Sequence, residues 1–337
     1  MSATTNVFIT GATGYIGGAV LELLLEHPTS SSSQFTALVR SPEKAQKLEA
    51  IGVHAVVGSN SDLDKLEQLA SESDVIFACA DADDEPATKA ILAGLKNHYK
   101  STGTAPILIH TSGTGVLTDK AAGKYAYDTI YDDTDVEQLE TLPDTQLHRN
   151  VDLLVIEADK QGYARTHIVL PSTIYALATG KLVQLGIQNP KSRQIPYLIR
   201  IGLKRGQGAI LGEGKNRWPN VHIDDIASLY IVLYEAILAG KAGHGREGLY
   251  FGENGEHLLY DVSKAVAEAL YELGKGRSPE PTMVTEEELK VDPRTIYLGT
   301  NSRCRASRAR ALGWKPKYTT KDLLASIKPE VEAILKE

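Results

Sequence analysis

Residues 7–18 read VFITGATGYIGG. An apolar, β-branched run ends at Thr10 and passes directly into glycines at 11, 14 and 17. The run has the composition of a strand, and YIGGAVLELLLEH, residues 15–27, has the periodicity of a helix. A glycine loop between such elements has a definite physical use. Gly11 permits the tight turn, Gly14 lets the backbone approach a pyrophosphate, and Gly17 lets helix and strand pack closely. The helix N-terminus adds N–H groups and the positive end of its dipole. The loop therefore reads as a dinucleotide site, with Gly11, Thr13, Gly14, Tyr15, Ile16 and Gly17 against the cofactor.

Working outward, the same alternation repeats. FTALV (35–39), HAVV (54–57), DVIFACA (74–80), ILIHT (107–111) and THIVL (166–170) are apolar runs without polar alternation, as strands buried on both faces should be. Helical windows such as LDKLEQLAS lie between them. This rhythm predicts an α/β fold, a doubly wound parallel sheet of Rossmann type over residues 1–175. Beyond about residue 171 the rhythm loosens. Gly, Pro and basic residues increase, as in GIQNPKSRQIP, and the helices DDIASLYIVLYEAIL and YDVSKAVAEALYEL come without paired strand runs. Residues 176–337 are expected to form mainly a smaller C-terminal substrate lobe, with some segments returning to the first domain. The lobe would cover the carboxyl ends of the strands, where open α/β sheets bind ligands.

Bulk properties narrow the partners. A formal net charge of −7 argues against a nucleic-acid or anionic-membrane partner. Two cysteines, Cys79 and Cys304, give neither a disulfide framework nor zinc spacing. No stretch approaches the ~20 apolar residues of a membrane span. The expectation is a cytoplasmic protein with a small-molecule substrate, and the sequence is silent on oligomeric state.

The ribose end decides between the two nicotinamide cofactors. NAD sites usually place an acidic residue at the end of the second strand, to accept from the ribose 2′-OH. Here that strand ends ALVR, followed by Lys44, with no carboxylate before Glu43. A guanidinium at Arg40 would pair with a 2′-phosphate instead, so the expected cofactor is NADP(H).

With its GxxGxxG spacing the chain resembles the extended and atypical short-chain dehydrogenase/reductases, the NAD-dependent epimerase/dehydratase and NmrA-like families. GSNSDLDKL (58–66) is similar to the segment that cradles adenine, which implies contacts from Ser59, where an Asp is usual, and Asn60. Ala78 to Ala80 resemble the small residues beside the adenosine ribose, which implicates Cys79 and Ala80. LPSTIYA (170–176) resembles the stretch facing the nicotinamide, which implicates Pro171 and Thr173. NVHIDDIA (220–227) and ALGWKPKY (311–318) resemble two signatures of the substrate lobe.

Reductases of this superfamily use a Ser or Thr with a Tyr and a Lys spaced YxxxK. The strand end ILIHTSGTG offers Ser112 or, less well placed, Thr114. The two YxxxK matches, Tyr260/Lys264 and Tyr271/Lys275, lie about 150 residues further on, in the lobe. The pair belongs on the helix before THIVL. That helix, QLHRNVDLLVIEADKQG, offers His148 and Asp152 at the matching spacing. On one helix face they would meet the nicotinamide ribose, Asp152 accepting from its hydroxyls and His148 exchanging a proton with substrate. The other reading is that they border the apolar stripe of Leu147, Val151, Leu154, Val155 and Ala158. Two ligands at i, i+4 do not make a metal site. A second source of an acid is the insertion DKAAGKYAYDTIYDDTD (119–135), with Tyr125, Tyr127 and Tyr131.

Smaller expectations complete the reading. Trp218, Tyr175 and Tyr197 are either pocket-lining or core. Asp224 caps a helix beside His222. Arg303, Arg305, Arg308 and Arg310 form an anion site or a solvated face. Two functions stay open: an NADP(H)-dependent oxidoreductase on a small carbonyl or alcohol, and an NmrA-like cofactor-sensing regulator with little turnover.

Overall fold

Each of the six apolar runs is a strand of one parallel sheet in the computed structural model, which describes residues 4–337. The strands are β1 (Thr5–Thr10), β2 (Ser33–Val39), β3 (His54–Val57), β4 (Val75–Ala78), β5 (Ile107–Thr111) and β6 (Arg165–Pro171), with a seventh, β7 (Leu249–Gly252). Their order is β3-β2-β1-β4-β5-β6-β7, and every pairing is parallel. Phe8, Ile9, Ile76, Phe77, Ile109 and Ile168 are fully buried, which is why the inner strands show no polar alternation. Strand β3, at the sheet edge, is not buried on both faces as expected, and its His54 and Val57 are exposed.

Two helix layers cover the sheet. Helix α1 (Tyr15–Glu26) packs with Ile223–Leu238. Helices α2 (Pro42–Glu49) and α3 (Leu63–Ser71) follow β2 and β3, and α3 packs on α4 (Glu85–Thr102), which meets α5 (Arg149–Lys160). The order in which successive strands are added reverses between β1 and β4, whose ends lie in register at Thr10 and Ala78. That switch point opens the crevice where a doubly wound sheet takes its ligand.

A second apolar cluster, which includes Tyr175, Ile199, Val266 and Leu323, lies apart from the sheet core. It is enclosed by helices Gln194–Arg205, Leu259–Glu272 and Thr320–Ile334. A three-stranded sheet of Thr173–Tyr175, Arg217–His222 and Glu256–Leu258 joins it to the main body.

The structure departs from the sequence reading in several places. Segments of the second half are expected to return to the first domain, but the strand that does so, β7, is not singled out by the sequence; its Leu249 lies opposite Ile168 in the main sheet. Four apolar residues between a helix and a turn carry too little pattern to be distinguished from a helix end. Helix α5 starts at Arg149, so His148 is its N-cap, with φ +69°, and not a member of the helix. His222, not Asp224, caps the helix Ile223–Leu238, its Nδ1 accepting from the Asp224 N–H at 3.1 Å. Three of the four arginines are engaged internally, and Arg305 is exposed. Arg303 forks onto Glu256 at 2.6 and 2.9 Å, Arg308 donates to the Asp133 carbonyl, and Arg310 pairs with Glu253 at 2.7 Å. Tyr175 is fully buried, and Tyr197 is bonded to Asp292 and Thr295. Among the described residues no helix is long and apolar enough to cross a membrane.

Candidate functional site

A cleft of about 1150 Å³ runs along the carboxyl edge of the sheet. It gathers Gly11, Thr13, Gly14, Tyr15 and Ile16 from the glycine loop, and Arg40, Ser59 and Asn60 from the ends of β2 and β3. Cys79 and Ala80 line it after β4, Ser112 after β5, and His148 and Pro171 beside them. Three expected site residues are not on its wall: Gly17, Thr173 and Asp152.

Gly11 sits at φ +72°, and a Cβ there would lie 2.6 Å from the Cys79 carbonyl oxygen. A Cβ at Gly17 would lie 2.3 Å from the Gly11 carbonyl oxygen, so Gly17 is the spacer that lets α1 close on the loop, not a wall of the cleft. Thr173 is buried and pairs with Asn220 across the lobe sheet. Its neighbours Ser172 and Ile174 face the cleft instead, since successive residues of an extended chain alternate sides. The Tyr15 hydroxyl lies within hydrogen-bond reach of the carbonyl oxygens of Tyr175 and Ala176, at 2.9 and 2.6 Å, and ties the glycine helix to the lobe.

At the ribose end Arg40 is exposed and Lys44 lines the cleft beside it. Partial burial, then the charges of Lys47 and Arg40, lower the Lys44 ammonium below its ordinary range. The nearest carboxylate on that helix, Glu43, is turned to Lys47 at 2.8 Å. Asp62 is held by the Ser59 N–H at 2.7 Å. Neither Arg40 nor Lys44 forms an ion pair with a carboxylate among the described residues, and both line the cleft.

At the other end, the two residues expected to share a helix face are separated. The left-handed turn at His148 carries its ring away from α5. Its Nδ1 lies 2.6 Å from Asp83 Oδ1, and that hydrogen bond holds the Asp83 carboxyl below the usual range. Its Nε2 rests over the strand-end glycines, where a Cβ on Gly113 or Gly115 would approach it to 3.2 or 3.1 Å. Asp152 lies fully buried behind the cleft wall and accepts from the Ser112 hydroxyl at 3.0 Å. It does not line the cleft. Between the two glycines, the Thr114 hydroxyl is buried on the cleft wall without a hydrogen-bond partner.

Asp83 escaped the sequence reading. It sits in ADADDEP, where Asp84 caps α4 by accepting from the Ala87 N–H at 3.0 Å, and a run of aspartates before a helix looks like capping alone. Both YxxxK matches lie away from the cleft: Tyr260 is exposed and bonded to Glu280, as is Lys264, and Tyr271 is exposed. Tyr125, Tyr127 and Tyr131 do not line the cleft either. Tyr125 is exposed, and Tyr131 belongs to a two-residue strand beside Cys304.

Burial pushes Asp152 up to about 6, against the Ser112 hydrogen bond, which pulls it down. A carboxyl that holds its proton more tightly when folded contributes stability below its unfolded value, and loses it as pH rises through 6. Asp152→Asn keeps an acceptor for Ser112 and cannot ionise. From a shift of 3.8 to about 6, the variant should gain on the parent by on the order of 3 kcal/mol between pH 4 and pH 7.5. Urea unfolding at both pH values measures this, and a difference that does not vary with pH would contradict it.

Residues 11–138 match a family model described as NAD(P)H-binding. The chain is 28% identical over 338 residues, 93% of each chain, to a protein of an Acremonium species called oxidase ucsJ. Its fold is shared with a UDP-glucose 4-epimerase from Thermotoga maritima, at a TM-score of 0.65 and 16% identity over 98% of this chain and 99% of that one. It is shared too with a dTDP-glucose 4,6-dehydratase from Streptomyces venezuelae solved with NAD, at a TM-score of 0.62 and 17% identity over 97% and 96%. Residues 11–138 thus match an NAD(P)H-binding family model, and the chain as a whole shares the fold of this epimerase and this dehydratase.

Proposed function

We propose that the protein is an NADP(H)-dependent oxidoreductase acting on a small carbonyl or alcohol. One observation carries the reading: a carboxylate-oriented imidazole, Asp83–His148, points its free nitrogen over the end of β5 in the same cleft as the glycine loop. The residues fit the cofactor. Gly11 and Gly14 line the cleft at the N-terminus of α1, where backbone N–H groups suit a pyrophosphate. Arg40 and Lys44 offer charge to a 2′-phosphate, and Ser59 and Asn60 are assigned to the adenine end.

NADP(H), when bound, supplies or accepts the hydride. The chain handles the proton. Because the Asp83 carboxylate only accepts, Nδ1 of His148 carries a hydrogen and Nε2 is left to exchange one with substrate. In alcohol oxidation, Nε2 takes the hydroxyl proton as the C–H hydride leaves. In reduction, the imidazolium returns that proton to the carbonyl oxygen. The unpartnered Thr114 hydroxyl donates to that oxygen beside the imidazole, while Ser112, whose own hydrogen goes to Asp152, lines the wall next to it. The role that a YxxxK tyrosine has elsewhere thus falls to a histidine from the N-cap of α5.

The direct assay follows absorbance of NADPH with a panel of aldehydes and ketones, and of NADP⁺ with the matching alcohols. Turnover that requires the substrate and prefers NADP(H) is the expected result. Tight NADP(H) binding with no turnover on any member would reject the enzyme reading in favour of a cofactor-sensing regulator.

A further inference from the structure

The cleft continues past His148 onto the segment 189–194 of the lobe. This segment is fixed to the glycine loop: the Asn189 N–H donates to the Thr13 carbonyl at 3.0 Å, and Asn189 Nδ2 to the Lys191 carbonyl at 3.0 Å. Lys191 is spent on Glu337. The next two residues are not spent. The Ser192 hydroxyl is more than nine-tenths buried on the cleft wall and has no hydrogen-bond partner. Arg193 lines the cleft with no ion pair or side-chain hydrogen bond among the described residues, and its charge reaches Asp83.

None of the carboxylates across the cleft forms an ion pair or hydrogen bond with this cation, although Asp83 feels its charge. Asp81 accepts the Asp83 N–H at 3.0 Å, Asp83 is bonded to His148, and Asp84 caps α4. A buried hydroxyl without a partner is costly unless a ligand completes it. Beside a free guanidinium, the natural complement is an anion that accepts from both. Three nearby aspartates disfavour a dianion, so a singly charged group fits best. On the same wall Trp218 is held by its Nε1 donating to the Thr300 carbonyl at 2.7 Å, and it offers a flat apolar face.

We infer that the reacting compound carries a carboxylate read by Ser192 and Arg193, with a flat apolar body against Trp218. This rests on the oxidoreductase reading of the same cleft, and names its substrate class as carbonyl or hydroxy acids with an aromatic or similarly planar body.

Calorimetry on the full chain saturated with NADP⁺ tests it through binding, separately from turnover. The probes are benzoate, benzoylformate and phenylpyruvate, each beside its methyl ester. The acids should bind at least roughly tenfold more tightly than the esters, the worth of one charge-assisted contact. R193Q should erase that difference, S192A should narrow it, and both should keep the parent's affinity for NADP⁺. Because Arg193 is exposed, R193Q leaves the fold intact. Equal binding of acids and esters, no binding by any acid, or an unchanged difference in R193Q overturns the proposal. So does a loss of NADP⁺ affinity in R193Q, which would assign the pair to the cofactor. Turnover of neutral carbonyls in the NADPH assay would keep the oxidoreductase reading while this one falls.

Discussion

Replacing His148 by phenylalanine should lower turnover by about 10²–10⁴-fold, the usual worth of a positioned general acid or base. The replacement keeps a ring of similar size over Gly113 and Gly115 and removes both nitrogens, so packing is retained while the proton path is lost. NADP⁺ affinity, measured by calorimetry, should stay at the parent's value, because the ring faces the strand-end glycines and not the glycine loop. Asp83→Asn should lower turnover in the same direction. An amide donating to Nδ1 would force the remaining proton onto Nε2, the wrong form for accepting one from an alcohol. Full activity in both variants would remove the histidine from the chemistry.

The second large effect is at the ribose. Arg40→Asp should cost NADP⁺ about 2–3 kcal/mol, a factor of roughly 30 to 150, through the lost charge-assisted contacts and the repulsion of a new carboxylate. NAD⁺ lacks the 2′-phosphate and gains an acceptor for its ribose hydroxyl, so its affinity should rise and the preference should reverse. The change lies on an exposed residue at the end of β2, which protects the fold from it. Titration of both cofactors into parent and variant reads the reversal. A parent that binds NAD⁺ more tightly would defeat the charge argument.

The sheet was legible because burial on both faces writes itself into composition. VFIT and ILIHT needed no alternation; HAVV, an edge strand with exposed ends, was legible from its valines instead, and HAVV and ILIHT are strands to the residue. The glycine loop was legible because each glycine meets a steric limit, 2.6 Å at Gly11 and 2.3 Å at Gly17, that no other residue satisfies. The catalytic end was only half legible. His148 and Asp152 stand four apart in sequence, and a continuous helix would have set them side by side. A single left-handed residue at the N-cap separates them, and nothing in LHRN announces that φ. The partner of His148 comes from 65 residues upstream, among aspartates that look like helix caps. Asp152 kept its place beside the site but turned inward to Ser112, in a position that a polar residue bordering an apolar stripe can take as readily as the solvent side. Contacts made across distant loops leave no periodic trace, so Arg193 and Ser192 gave no signal either.

The claim that everything else depends on is that the Asp83–His148 pair faces the reacting carbon. A crystal structure of the protein with NADP⁺ measures it directly. The distance from His148 Nε2 to nicotinamide C4 should not exceed roughly 8 Å, the sum of a hydrogen bond, a C–O bond and a hydride-transfer contact, with open space between them. The 2′-phosphate should lie on Arg40. A nicotinamide ring farther from Nε2 than that, or one whose substrate face is closed by Ser112 and Pro171 with His148 on the outside, would contradict the account.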